Sequence, residues 1–175
     1  VTATEAWTSV KYIELTIAEL VAWGVDVQVQ REVDGQIHTI TVSGGSIAGR
    51  RRMIEADASS ALFLAAAAAL HPGSKVVLPG VSLSSLQPDI EAIRALSAYG
   101  AELEEGDDGL VVKGTETRRG WPALDASGFP DGAVMLAVLG ACGDHPTTIT
   151  GLGTLRVKES DRIAALEAEL AKVGS

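Results

Sequence analysis

Apolar positions along this chain follow three spacings, and each spacing predicts a different element. Steps of three and four mark amphipathic helices. Ile13, Ile17, Leu20 and Val21 line one over residues 12–23, which Gly24 ends; Ile163, Leu166, Leu170 and Val173 line another, which Gly174 ends. Strict alternation of Val25, Val27 and Val29 with Asp26, Gln28 and Gln30, then Asp34-Gly35, then residues 37–42, predicts a hairpin. The third pattern has no polar face. Residues 58–70, opened by Asp57 and closed by His71-Pro72-Gly73, and the segment from Asp131 to His145-Pro146 are apolar all round, which suits helices buried on every side. A short apolar strand is expected around Met53 and Ile54, another at 76–78, a helix at 89–99, strands at 101–105 and 110–113 about the turn 106–109, and a strand at 147–150 before the helix that Asp161 enters.

These elements repeat. Asp57 and Asp131, His71 and His145, and the stop glycines Gly24, Gly100 and Gly174 recur at about 75 residues, so the order is β-α-β-α-β-β and then begins again. The first unit lacks its buried helix and leading strands, and the third halts before its last two strands. The expectation is a segment of a longer repeat protein, cut at both ends, with Val1 in place of an initiator Met and exposed sheet edges as a route to self-association. The flexible crossing Ser43-Gly44-Gly45 to Arg50-Arg51-Arg52 is the candidate boundary, near Arg50.

Composition narrows the class. The 175 residues are 46% hydrophobic, ample for a core, and carry a net charge of -9, which argues against nucleic acid or an anionic membrane as partner. The longest apolar runs are about half of what a membrane helix needs. One cysteine, Cys142, and three scattered histidines give no disulfide and no zinc spacing, so no metal and no cofactor are called for, and a cytoplasmic location is the expectation.

Against that acidic background, Arg156-Val157-Lys158-Glu159-Ser160-Asp161-Arg162 is a local concentration of cations. It is read as the first turn of the last helix, the wrong end for positive charge, at a cost of a few tenths to about 1 kcal/mol per cation. A bound anion would repay that cost. Glu159 and Arg162 are three apart and share a face, and a carboxylate between Lys158 and Arg162 is a candidate proton carrier beside an anionic substrate. The same residues also suit a surface helix with ordinary salt bridges.

Leu155 to Ile163 closely resembles the diagnostic segment of the 5-enolpyruvylshikimate-3-phosphate synthase family of enolpyruvyl transferases. Glu55-Ala56-Asp57-Ala58-Ser59-Ser60-Ala61, Gln87-Pro88-Asp89 and Phe129-Pro130-Asp131 match its other landmarks in order. The resemblance covers essentially the whole chain. It implies an α/β fold of repeated β-α-β-α-β-β units with helices inside sheets. Residues 1–50 would be the partial last unit of the family's first domain, and 51–175 one complete and one truncated unit of the second. It implies transfer of an enolpyruvyl group from phosphoenolpyruvate to the 5-hydroxyl of shikimate 3-phosphate, two small anionic substrates, with phosphate released through a tetrahedral intermediate.

Carried onto this sequence, the resemblance implies that Asp131 holds ring hydroxyls and is a candidate base, and that Glu159 handles the methylene proton. Lys158 would be a cation at the reacting centre, Arg162 a cation on the phosphoenolpyruvate side, and Ser9 and Tyr12 hydroxyls at the shikimate-phosphate site. Thr154 stands where the family commonly has a substrate-touching asparagine, and Val10-Lys11 replaces a usual Lys-Pro. On their own, Asp131 and Ser9 read as helix caps and Tyr12 as a core-edge residue; Asp57 and Asp161 are expected to be caps. The family's remaining anion-binding groups have no place in this chain, so the segment alone is expected to be inactive. Two other readings stand beside this one: a non-catalytic anion-binding repeat module, and the sister enzyme acting on UDP-N-acetylglucosamine, against which the run 158–162 argues.

Overall fold

The computed structural model describes Trp7 and residues 9–175, which separate into two compact units divided between Ile54 and Glu55.

In the first unit, α1 (Val10–Ala22) is followed by an antiparallel hairpin of β1 (Val27–Arg31) and β2 (Ile37–Val42), paired from Val27 with Val42 to Arg31 with Ile37 across a bulge at Gln30/Arg31. The Asp34-Gly35 turn forms as its residues dictate: Gly35 takes φ 86, and Asp34 Oδ1 accepts the Gln36 N–H at 3.0 Å. Ile37 is the buried hydrophobic of this unit among the described residues, and α1 buries none. Residues 43–54 run without helix or strand. Their later part is tied to α1, Arg50 lying 4.9 Å over the Trp23 ring and Arg52 donating to both Glu19 carboxylate oxygens. The strand expected at Met53 and Ile54 is absent; both side chains are exposed, and no neighbouring strand pairs with that backbone among the described residues.

The second unit carries the core. Its elements are α2 (Ala58–Leu70), β3 (Lys75–Pro79), α3 (Ile90–Tyr99), β4 (Glu102–Gly106), β5 (Gly109–Lys113), β6 (Leu124–Asp125), α4 (Pro130–Ala141), β7 (Ile149–Thr150) and, after a 3-10 turn at Gly153–Val157, α5 (Arg162–Lys172). The three-stranded sheet has the order β3-β5-β4, β5 running antiparallel to both neighbours, while β6 and β7 form a short parallel pair. α2 packs against α3, α4, β3 and β5. Its alanines permit this: Ala58, Ala65, Ala66 and Ala69 are buried, and so small a side chain costs nothing in helix propensity while letting neighbouring helices approach. Leu62, Ile93, Leu96, Leu110, Val112 and Leu136 fill the space between helices and sheet.

The architecture is a mixed α/β one, with five α-helices and small sheets among the described residues. The expectation that α2 is buried all round is corrected, since Phe63 and Leu64 are 57% and 59% exposed. The sheet and the two partner helices cover its alanine side, and no element of the described chain covers the face that carries those two side chains. Similarly, α5 buries none of its apolar stripe; Ile163, Leu166 and Leu170 are half-covered and Val173 is exposed. Gly24, Gly100 and Gly174 all take positive φ, as their position after a helix requires. In the described residues, α2-β3-α3 and α4-β7-α5 run in the same element order.

Candidate active site

The charged run straddles two elements, and its middle, Lys158 to Asp161, belongs to neither. Buried Leu155 anchors the 3-10 turn, Lys158 follows in extended conformation, and α5 begins only at Arg162. Asp161 caps that helix, Oδ1 accepting the N–H groups of Ile163 at 3.1 Å and Ala164 at 3.0 Å while Oδ2 takes Arg156 Nη1 at 3.1 Å. These bonds, the Ala164 N–H foremost, hold its carboxyl below the usual value. Lys158 and Glu159 therefore occupy a tight connector pinned at both ends, and the reading that placed them on the first helical turn is corrected. Asp161 starts the helix too late for that.

Across from this connector stands the first turn of α4. Pro130 opens the helix, its missing N–H costing nothing there, and Asp131 follows within the first turn, where the positive helix end favours a carboxylate. Asp131 is no N-cap, since Phe129 holds that position. Instead its Oδ1 accepts Arg162 Nη1 at 2.8 Å, and Lys158 Nζ lies 3.4 Å from its carboxylate. Arg162 turns its other nitrogen, Nη2, to Glu159 Oε2 at 2.8 Å. Asp131, Lys158 and Arg162 are about one-third exposed, whereas the Glu159 side chain is 81% exposed. Four of the sequence-predicted groups thus meet in one place. The cations that seemed to need an external anion are met by Asp131 and Glu159.

Glu159 is held below the ordinary carboxylate value by its own backbone N–H and then by the Arg162 guanidinium, with Lys158 adding a smaller pull. In this arrangement the ionised form of Glu159 is the favoured one. Next to the cluster a recess of about 280 Å³ has Leu62, Phe63, Val134 and Met135 on its apolar side and Asp131 and Arg162 on its polar side. It offers a surface for a small molecule with one apolar face and polar substituents.

The family model for EPSP synthase (3-phosphoshikimate 1-carboxyvinyltransferase) matches residues 1–175. The chain belongs to the EPSP synthase family. It is 36% identical over 94% of its length to the 3-phosphoshikimate 1-carboxyvinyltransferase of Cupriavidus necator, 38% identical over 94% to that of Ralstonia nicotianae, and 39% identical over 93% to that of Methanosphaerula palustris. Those matches cover 38%, 37% and 37% of the relatives' own lengths, so the chain spans well under half of the curated relatives it matches.

The remaining residues singled out from the sequence belong to other elements. Ser9 and Tyr12 belong to the first unit: Ser9 starts α1 in the left-handed region at φ 53, its side chain caps nothing, and Tyr12 is half-buried in the helix. Thr154, on the 3-10 turn, has a buried hydroxyl with no hydrogen-bond partner among the described residues. Asp57 is a cap, accepting Ser59 N–H at 2.9 Å and Ser60 Oγ at 2.5 Å. The sequence reading gave no role to Asp89, which is 1% exposed and adjoins the recess. Buried carboxylates are uncommon, and an Asp after Pro before a helix carries no mark that tells a solvent-facing cap from a buried one.

Proposed function

We propose that this chain is the central part of an enzyme that transfers the enolpyruvyl group of phosphoenolpyruvate to the 5-hydroxyl of shikimate 3-phosphate, releasing phosphate. The convergence of Asp131, Lys158, Glu159 and Arg162, in a chain of this family, supports the reading most directly. In it, residues 1–50 belong to the last repeat of one domain and 51–175 to one complete and one partial repeat of the next. The shared α-β-α order of 58–99 and 130–172 supports that division.

In the addition step the 5-hydroxyl oxygen bonds to C2 of phosphoenolpyruvate, its proton passes to Asp131, and Glu159 in its protonated form gives a proton to the methylene carbon, which becomes methyl. In the elimination step the methyl group returns a proton to Glu159, the double bond re-forms, the C–O bond to phosphate breaks and the leaving phosphate takes up the proton held by Asp131. Glu159 as found, ionised beside Arg162, is ready for the elimination step. To give a proton in the addition step it must first take one up from solvent, which relief from Arg162 favours by letting its carboxyl rise, and an anionic substrate that draws the guanidinium away would do this. Lys158, half-covered and close to Asp131, stabilises negative charge that develops at the reacting centre. Ser9, Tyr12 and Thr154 are assigned to substrate binding, and no cofactor is assigned. No helix among the described residues is long and apolar enough to cross a membrane; one cysteine in the whole chain supports a reducing, cytoplasmic setting.

The test is Glu159→Gln in the complete protein, which keeps shape and removes proton transfer. Turnover should fall by roughly 10²-fold or more while shikimate 3-phosphate binds nearly as before. Unchanged turnover would refute the assignment of Glu159.

A further inference from the structure

Three helix N-termini meet at one buried carboxylate. Asp89 precedes α3, its Oδ2 accepts Ser59 Oγ from the first turn of α2 at 2.5 Å, and its Oδ1 accepts the Gly132 N–H from the first turn of α4 at 3.1 Å. No cation lies within ion-pair distance of it among the described residues; the positive ends of α2, α3 and α4 take that place. Its neighbour Gln87 fixes the segment on α2, Oε1 accepting Ala58 N–H at 2.8 Å and Nε2 donating to Ala56 O at 2.7 Å.

The Gly132 N–H belongs to the peptide that joins Asp131 to Gly132. A hydrogen bond to that group sets the tilt of the peptide plane, and with it the direction in which the Asp131 side chain leaves the helix. The contact is close, since a Cβ on Gly132 would meet Asp89 Oδ1 at 3.0 Å and Ala92 Cβ at 2.7 Å. Burial raises the Asp89 carboxyl above the usual range, and the nearby Asp131 charge adds to that rise.

We propose that Asp89 is a positioning residue for Asp131: by holding the Asp131–Gly132 peptide against the starts of α2 and α3, it aims the Asp131 carboxylate at Arg162 and Lys158. The catalytic consequence rests on the function proposed above; the positioning itself does not. Asp89 touches neither cation, so its effect on them passes through Asp131.

The experiment has two arms. In the purified 175-residue chain, amide exchange at Gly132 and the guanidinium resonances of Arg162 are followed by NMR for wild type, Asp89→Ala, Asp89→Asn and Ser59→Ala. Asp89→Ala should speed Gly132 exchange by about 10-fold or more and release the Arg162 signals, as loss of a buried hydrogen bond implies. Ser59→Ala should do the same more weakly. Asp89→Asn keeps an acceptor for Gly132 and should stay near wild type. In the complete protein, Asp89→Ala should lower kcat/KM for shikimate 3-phosphate by roughly 10- to 100-fold, as expected of a misplaced catalytic group, with the KM for phosphoenolpyruvate little changed and Asn restoring most of the loss. If Asp89→Ala does not fold, Ser59→Ala carries the test. Gly132 and Arg162 signals unmoved in the folded Ala variants would overturn the proposal. So would a loss confined to the amount of folded enzyme, with both KM values and kcat per folded molecule as in wild type. Signals that move as expected while turnover ignores both Glu159→Gln and Asp89→Ala would uphold the positioning and remove the proposed function.

Discussion

Arg162 Nη1 sits 2.8 Å from Asp131 Oδ1 and Nη2 of the same guanidinium sits 2.8 Å from Glu159 Oε2, so one planar fork ties two carboxylates from different elements. A lysine ammonium carries its donors on one nitrogen and lacks the fixed planar fork that reaches two carboxylates from separate nitrogens. Arg162→Lys should therefore keep the charge and lose the bridge. The carboxyl of Glu159 should rise part of the way toward its ordinary value, the hold of its own backbone N–H remaining. A carbon-13 titration of the Glu159 side chain reads this directly. An unchanged titration would mean that Arg162 does not set the state of Glu159.

Opposite pH slopes are expected from two aspartates of the second unit. The folded-state pKa of Asp161 is depressed from 3.8, chiefly by the Ala164 N–H, so its stabilising contribution is present above 3.8 and lost as pH falls through the folded value. Asp89 is raised from 3.8 by burial, so the folded state binds the proton more tightly than the unfolded one, and stability is lost as pH rises from 3.8 through the folded value. Relative to wild type, Asp161→Asn should lose stability as pH is raised from about 3 to 7, and Asp89→Asn should gain it. Melting temperatures across that range decide the matter; parallel slopes for the two variants would contradict the assigned causes.

The hairpin, the helices and the stop glycines were legible because each is written in local pattern: alternation at 25–30, the turn at Asp34-Gly35, three- and four-residue steps at 90–99. What was not legible depended on partners. β6, at Leu124 and Asp125, is too short to show alternation and exists through its parallel pairing with β7. Met53 and Ile54 look like a strand yet have no neighbour to pair with among the described residues. At the site, spacing alone put Glu159 near Arg162 and the distance confirms the pair, but it could not foresee that Asp161 delays the helix until Arg162. The meeting of Asp131 with Lys158 and Arg162 spans about thirty residues of chain, and no local rule reaches that far; only the resemblance to a family placed those residues together.

Gly132→Ala inverts the usual rule for helices. Alanine is better than glycine in a helix interior by about 1 kcal/mol, yet here the added Cβ would press on Ala92 Cβ at 2.7 Å and Asp89 Oδ1 at 3.0 Å. Overpacking of this kind costs roughly 1–3 kcal/mol, so the variant should melt earlier, and denaturant unfolding should report the loss. A stability gain would show that α4 can slide off α3 freely.

The two units should differ in protection from amide exchange. Among described residues the first unit buries Ile37 alone of its apolar side chains, while the second buries a continuous cluster from Ala58 to Leu139. A helix beside a two-stranded hairpin has little to oppose local opening. Amides of β1 and β2 should exchange well before those of α2 and β5, and equal protection would mean that the first unit owes its stability to something other than its own core.

Turnover by the 175-residue chain alone should be undetectable, and the reason lies in the charges. The proposed substrates bring two phosphates and two carboxylates, while the cations gathered at the site are Lys158 and Arg162, both already engaged by Asp131 and Glu159. An incoming anion must displace those carboxylates or find other cations, and loss of even one well-placed donor costs about 10² to 10³ in rate. Binding of phosphoenolpyruvate to the chain should accordingly be weak and should weaken further with salt, as for any half-exposed ion pair. Phosphate release from phosphoenolpyruvate and shikimate 3-phosphate, assayed with this chain alone and with the flanking parts of a family enzyme supplied in trans, separates the outcomes. Activity only on mixing places Asp131 and Glu159 in a site completed by groups outside this chain; turnover by the chain alone would mean that the cations needed are already within it and that the catalytic assignment is wrong.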